Sequence, residues 1–255
     1  MYCKEIELAK KLADTASAIT LPYFRQNPEA FTKKDLTPVT IADREAEKAM
    51  RILIEKTFPN HGIIGEEFED KNINAKYVWA LDPIDGTRSF VAGMPLFGTL
   101  VSLLKDGYPI IGIIDMPALN ERWVGCEGKT TLFNDRSVQV RSCKNIGEAW
   151  LYATSPQMFI EDDFKAFERV RKKTYCTLYG IDCYAYGLLA NGTCDLVVEA
   201  NMGIYDFCAL VPIIIGAGGC MVDWQGKPLS MQSDGRVIAA CGQALAEEVR
   251  ILMNR

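Results

Sequence analysis

Trp79-Ala80-Leu81-Asp82-Pro83-Ile84-Asp85-Gly86-Thr87-Arg88-Ser89-Phe90 sets two carboxylates three residues apart where an apolar run breaks into a turn. Tyr77 to Leu81 reads as a buried strand, Pro83 bars its regular continuation, and Gly86-Thr87 offers a tight backbone with free N–H groups. Hard cations such as Mg²⁺ take carboxylate, carbonyl and water oxygens, so Asp82, Asp85 and the Ile84 carbonyl can present ligands from a single turn. The N–H groups beside them suit a phosphate, and cation and phosphate can meet there.

Upstream, a second acidic segment, Gly65-Glu66-Glu67, also follows an apolar pair, Ile63-Ile64, and Glu66 can complete a first metal sphere. Two amphipathic helices precede it. Ile6, Ala9, Leu12, Ala13, Ala16 and Ile19 recur at three- and four-residue spacing and predict a helix ending near Pro22. A second is expected to follow Asp43, with Ala46, Ala49, Met50, Leu53 and Ile54 as its apolar face, closed by Phe58-Pro59-Asn60-His61-Gly62. Between them Lys33-Lys34-Asp35-Leu36-Thr37-Pro38-Val39-Thr40 reads as a polar loop, and Thr40-x-x-Asp43 has the form of a capping box.

Downstream, Leu100 to Leu104, Ile110 to Ile114 and Arg122 to Cys126 read as antiparallel strands separated by Asp106-Gly107 and Pro117. From Ala149 strands and helices alternate: strands at Trp150 to Ala153, Cys176 to Tyr179, Leu196 to Glu199 and Val237 to Cys241, with helices around Phe164 to Lys172, from Asp182, from Asp206 and over Ala244 to Met253. That alternation predicts a layered α/β second half. Gly216-Ala217-Gly218-Gly219 ends a helical pattern and reads as a C-terminal cap rather than a dinucleotide loop. With no internal repeat or long linker, residues 1–255 form one expected unit, with approximate halves 1–145 and 146–255.

Composition narrows the function classes. Of 255 residues 49% are apolar, enough for a substantial core, and the net charge of −5 without Lys/Arg blocks speaks against nucleic acid as the main partner. Nine cysteines, odd in number and without a Cys-x-x-Cys pair, fit a reducing cytoplasm. Charges near the N-terminus and the lack of any run approaching ~20 apolar residues predict neither export nor membrane insertion. His61 is the only histidine and reads as a surface turn residue, so a Ser-His-Asp triad or a His-ligated zinc centre is poorly supported. Asp85-Gly86-Thr87 differs by one residue of spacing from the Asp-x-Asp-Gly-Thr of aspartyl-phosphate phosphatases, and neighbouring spacings aim side chains differently from a strand. Each acid has a plainer reading: turn formation for Asp82 and Asp85, a solvated loop for Glu66-Glu67, helix caps for Asp43, Asp182 and Asp206. Their joint occurrence carries the metal-site reading.

Gly65-Glu66-Glu67, then Asp82-Pro83-Ile84-Asp85-Gly86-Thr87, then Tyr205-Asp206 ahead of Gly216-Ala217-Gly218-Gly219, resemble over nearly the whole chain the inositol monophosphatase superfamily of metal-dependent, lithium-sensitive phosphatases. The resemblance implies a five-layered αβαβα sandwich of the inositol monophosphatase and fructose-1,6-bisphosphatase type, and hydrolysis of a small phosphorylated metabolite by water activated with two or three Mg²⁺ ions, Mn²⁺ being a possible substitute. It implies Glu66, Asp82 and the Ile84 carbonyl as ligands of a first metal and Asp82, Asp85 and Asp206 of a second. Thr87 and Asp43, with Glu66 nearby, match the groups that orient the attacking water. The Gly86 and Thr87 N–H groups match the phosphate cradle, and Gly180, Ile181, Asp182 and Glu199 the alcohol side of the substrate. Relatives are commonly homodimers.

Arg88-Ser89-Phe90, Tyr205 before Asp206, and Gly180-Ile181-Asp182-Cys183-Tyr184-Ala185-Tyr186-Gly187 resemble the histidinol-phosphate phosphatase branch, which serves histidine biosynthesis. Asp182 and Glu199 would place two carboxylates near the leaving group, suited to a cationic amine or imidazolium, although sugar hydroxyls could also use them. Ile181 departs from the second glycine often found in that branch. Histidinol phosphate is therefore the favoured substrate, inositol 1-phosphate the alternative, and a non-catalytic phosphate-ester scaffold the alternative of another class.

Overall fold

Apolar residues at helical spacing make the first layer. In the computed structural model, which describes residues 2–26 and 38–255, α1 (Cys3–Thr20) buries Leu8, Ala9, Leu12, Ala13 and Ala16, and α2 (Pro38–Thr57) buries Ala46, Met50 and Ile54. α2 begins at Pro38 rather than after Asp43. Proline is tolerated in a first helical turn because its missing N–H has no intrahelical acceptor there. Thr40 and Asp43 consequently lie inside the helix rather than at its start, where the sequence suggests a capping box. Of the expected loop, Pro38–Thr40 are helical and residues 33–37 lie outside the described residues.

Two helices of that kind need a sheet to cover. β1 (Gly62–Gly65), β2 (Tyr77–Asp85), β3 (Gly98–Lys105), β4 (Tyr108–Met116), β5 (Glu121–Cys126), β6 (Leu132–Phe133) and β7 (Arg136–Ser137) pair in sequence order. Among the described residues of this sheet only the β1–β2 pair is parallel. Strand alternation sends Trp79, Leu81, Val101, Leu103, Ile111 and Ile113 toward α1 and α2, and Ala80, Leu100, Ile114, Met116 and Trp123 to the opposite face. A short helix, α3 (Thr87–Val91), follows β2.

That opposite face is covered by the second half of the chain, which runs β8 (Trp150–Ala153), α4 (Asp162–Arg171), β9 (Cys176–Tyr179), α5 (Tyr184–Ala190), β10 (Leu196–Glu199), α6 (Ile204–Phe207), α7 (Leu210–Gly216), β11 (Cys220–Asp223), β12 (Val237–Ala240) and α8 (Gln243–Met253). Its strands form a mixed sheet in the order β11-β12-β10-β8-β9. α7 packs on β4 and β5 on one side and on β11 on the other, while α4 and α8 pack together outside the second sheet. The layers are therefore helix, sheet, helix, sheet, helix, as the resemblance implied. One hydrophobic cluster runs from Ala80 and Leu100 to Val249 and Met253, so both halves of the chain contribute to it. α7 ends as expected, the Gly219 N–H donating to the Ile214 carbonyl at 2.9 Å.

His61 is not a bare surface residue. Half-buried, it stacks on Phe58 at 4.5 Å between ring centres and on Tyr77 at 5.1 Å, and its Nδ1 accepts the Trp79 indole N–H at 3.1 Å. All nine cysteines are free thiols, and among the described residues no helix is long and apolar enough to cross a membrane.

Candidate active site

The site begins with an irregularity in β2. Asp82 pairs with Leu100 and Asp85 with Gly98, three steps on β2 against two on β3. In a regular strand, residues three apart face opposite sides; the extra residue is a β-bulge that brings Asp85 back beside Asp82. The strand therefore does not stop before Pro83 but continues through it to Asp85, using a position where a proline is accommodated. Two hydrogen bonds fix the bulge: the Ile84 N–H donates to Asp82 Oδ1 at 3.0 Å, and Thr99 Oγ1 donates to the Pro83 carbonyl at 2.8 Å. Gly86 then turns the chain into α3 with φ +80°, a left-handed conformation that favours glycine.

Other elements bring further acids to this turn. β1 runs parallel to β2 with Gly65 opposite Leu81, so Glu66 emerges next to Asp82. Asp206 comes from the first turn of α6, where its Oδ2 accepts the Gly203 N–H at 2.7 Å. One carboxylate oxygen from each of Asp82, Asp85 and Asp206 lies within 4.8 Å of the others. They share a cavity of about 180 Å³, lined also by Glu66, Ile84, Gly86, Thr87, Asp182 and Glu199. Gly180 and Ile181 precede Asp182 but do not line it; Ile181 packs against the core. Asp43 is buried on α2, outside the lining, and its Oδ1 has no hydrogen-bond partner among the described residues. The Thr87 hydroxyl donates to the Ile84 carbonyl at 3.1 Å, so Thr87 and Asp43 are not paired directly.

Burial beside like charges keeps these acids reluctant to ionise. Desolvation pushes Asp82 well above the usual carboxylate range, and the charges of Asp85, Glu66, Asp206 and Asp43 add to it. Asp85 is raised by burial and by Asp182 and Asp206, against the Cys183 N–H that donates to its Oδ2 at 2.8 Å. Asp206 is pushed up to about 7 and Asp43 to about 8, in both cases mainly by burial. Glu66 is raised by burial and by Glu67 and Glu47. The donors are all oxygens; the buried Cys183 thiol is itself held well above its ordinary pKa by desolvation, so it adds no thiolate. Such a set fits hard divalent cations, which restore the charged form of every carboxylate.

Across the cavity, Glu199 is buried with Oε1 accepting the Thr154 N–H and Oε2 the Tyr186 hydroxyl, each at 2.8 Å. Asp182 has φ +43°, accepts Ser89 Oγ at 3.4 Å, and is raised mainly by burial. Sequence reasoning did not single out Tyr186 or Thr154, nor Met158, Asn201 and Met202 on the same wall. Asp182 lies in the left-handed turn ahead of α5 and Tyr186 in the first turn of that helix, so no helical spacing links the two and no pattern in the sequence marks Tyr186. The Glu47/Arg51 pair on α2, four apart, was equally overlooked.

A profile of the inositol monophosphatase family matches residues 3–253. The chain is 48% identical over 237 residues to the bifunctional phosphatase IMPL2, chloroplastic, of Arabidopsis thaliana, covering 92% of this chain and 68% of that protein. With a histidinol-phosphatase of Chlorobaculum parvum it shares 34% identity over 92% of each chain. Among solved structures it aligns with an inositol monophosphatase from Zymomonas mobilis at a TM-score of 0.94 and 47% identity, covering 100% of this chain and 99% of that one.

Proposed function

The chain belongs to the inositol monophosphatase family and is a phosphomonoester hydrolase, and we propose that it hydrolyses histidinol phosphate to histidinol and phosphate with Mg²⁺ held in the acidic cavity. Glu66, Asp82 and the Ile84 carbonyl would hold one cation, and Asp82, Asp85 and Asp206 a second. When bound, the cations supply Lewis-acid activation of water and neutralise charge on the phosphoryl oxygens and the leaving alkoxide. The protein's own groups do the rest. Gly86 and Thr87 N–H groups at the start of α3 donate to phosphoryl oxygens. The Thr87 hydroxyl, fixed by the Ile84 carbonyl, keeps acceptor capacity for a water. Asp43, buried on α2 with an Oδ1 that has no hydrogen-bond partner among the described residues, matches the carboxylate that with Thr87 would orient that water.

The observation that carries the substrate reading is the pair Asp182 and Glu199, two carboxylates on the cavity wall in addition to the cation-binding set. A cationic amine or imidazolium returns both to their ionised state through charge-assisted hydrogen bonds; a neutral polyol does so less well. Inositol 1-phosphate remains the second reading, supported by 47% identity to a protein described as an inositol monophosphatase. Mg²⁺-dependent phosphate release from the two esters decides between them. Asp182→Asn should lower kcat/KM for histidinol phosphate by about 10- to 100-fold and affect inositol 1-phosphate less. A clear wild-type preference for inositol 1-phosphate overturns the substrate assignment. The cytoplasmic location expected from the cysteine usage and the homodimer implied by the resemblance belong to the same proposal.

A further inference from the structure

We propose that Glu47 and Arg51 are a positioning pair that clamps the backbone on both sides of Glu66 and so aims that carboxylate into the cation site, an inference that rests on reading Glu66 as a ligand. Glu47 is fully buried on α2. Its Oε1 accepts Arg51 Nε at 2.6 Å and its Oε2 accepts the Glu67 N–H at 2.8 Å. Arg51 then donates to the Phe68 and Glu69 carbonyls, both at 3.1 Å. One ion pair thus holds three consecutive residues immediately after Glu66. Immediately before it, Gly65 lies so close to the Glu47 carboxylate that a Cβ there would overlap it. Glu66 sits between these two contacts, with its side chain on the cavity wall beside Asp82.

The rest of the segment needs such a clamp. The Ile63 and Lys71 backbones exchange two hydrogen bonds at 2.8 Å and close the loop at its base, while residues 66–69 rely on side chains of α2. Arg44 assists, donating to the Glu67 carbonyl at 3.1 Å and lying over the Phe68 ring at 4.5 Å. Burying another carboxylate beside Asp43, Glu66 and Glu67 adds repulsion, so stability alone does not account for it. A glutamine could accept the Glu67 N–H but would not hold the guanidinium as strongly, and a lysine at 51 could not present a planar fork to three acceptors. Partners that orient metal ligands change metal affinity without touching the metal.

The test uses the full chain and the cation alone as probe. Mn²⁺ binding is followed by electron paramagnetic resonance and Mg²⁺ binding by calorimetry in wild type, Glu47→Gln, Arg51→Lys and the control Asp82→Asn. Both clamp variants should bind Mn²⁺ about tenfold more weakly. With saturating Mg²⁺ their kcat should return to within about threefold of wild type and KM for the ester stay unchanged, the pattern of a misplaced ligand rather than a lost reacting group. Wild-type Mn²⁺ affinity in both, with only a lower Tm, overturns the clamp. If Asp82→Asn loses cation binding while both clamp variants keep it, the clamp alone fails. If Asp82→Asn also binds normally, the cation site fails and the clamp with it. Should Glu47→Gln not fold, Arg51→Lys decides.

Discussion

Asp82→Asn separates a residue that holds cations from one that holds the fold, because the two roles have opposite signs. Asp82 is 2% exposed, and an asparagine Oδ1 can still accept the Ile84 N–H. What the substitution removes is a charge. Oxygens of Asp82, Asp85 and Asp206 lie within 4.8 Å of one another, and each ionised pair at that distance repels by about 3–4 kcal/mol at an effective dielectric of ~20. In EDTA at pH 9, where the acids are driven to ionise, Asp82→Asn should therefore raise Tm, by ~2–4 °C for each kcal/mol relieved in a chain of this size. At pH 5 the repulsion is smaller, because burial and its neighbours favour the protonated form of Asp82, and the substitution should raise Tm less. In saturating Mg²⁺ the sign reverses: on the proposed metal assignment, in which Asp82 bridges both cations, kcat should fall by about 10³-fold or more. Thermal melts in EDTA at the two pH values and a phosphate-release assay measure both limbs. A kcat near wild type, or a lower Tm at pH 9 with unchanged cation affinity, refutes the reasoning.

The wild-type protein should show the same chemistry as a pH profile. Asp206 rises from 3.8 to about 7 and Asp43 from 3.8 to about 8, so the stability they contribute is full below about pH 4 and lost as pH climbs through those folded values. In EDTA the Tm should fall between pH 6 and 9, Mg²⁺ should restore it, and Mg²⁺ affinity should increase over that window; a flat profile contradicts the acid cluster. His61 titrates with the opposite sign. Burial lowers it from 6.5, so its contribution is present above that value and lost as pH falls, when protonation breaks the Trp79 hydrogen bond. The Tm difference between wild type and His61→Gln, measured with Mg²⁺, should shrink from pH 7 to 5. Gly86→Ala puts a Cβ 3.0 Å from the Leu96 carbonyl and 3.1 Å from Asp182 Oδ2 at φ +80°, which should cost about 1 kcal/mol or more and lower kcat together with Tm. An unchanged Tm would mean that the turn does not need glycine.

Much of this was legible in the sequence, for a physical reason: the elements that bury one face announce it by periodicity. α1, β3 to β5, β8, β9 and β10 fall where apolar spacing places them. The start of α2 was not legible, because Thr40-x-x-Asp43 has the local form of a cap while the helix already begins at Pro38. The bulge in β2 was not legible either. Its extra residue depends on pairing with β3, and without it the Asp82/Asp85 spacing suggests side chains on opposite faces. Tyr186, Thr154 and Glu47 act through hydrogen bonds between distant segments, and such contacts leave no pattern along a chain.

The competing local readings of the acids, turn or cap against metal ligand, turn out not to exclude each other. Asp82 Oδ1 accepts the Ile84 N–H, Asp85 Oδ2 the Cys183 N–H and Asp206 Oδ2 the Gly203 N–H. Each carboxylate thus commits one oxygen to a backbone donor, which fixes its rotamer, and has a second oxygen through which to meet a cation. A side chain already held by the backbone loses little freedom when it binds a metal, and a site so arranged forms with the fold rather than after it. The turn and cap signals in the sequence were therefore correct about one oxygen and silent about the other. What distinguishes a ligating acid from an ordinary capping one is convergence. The three oxygens come from the end of β2 and the start of α6, on elements that the layered core presses together, and their mutual repulsion makes cations their natural partners.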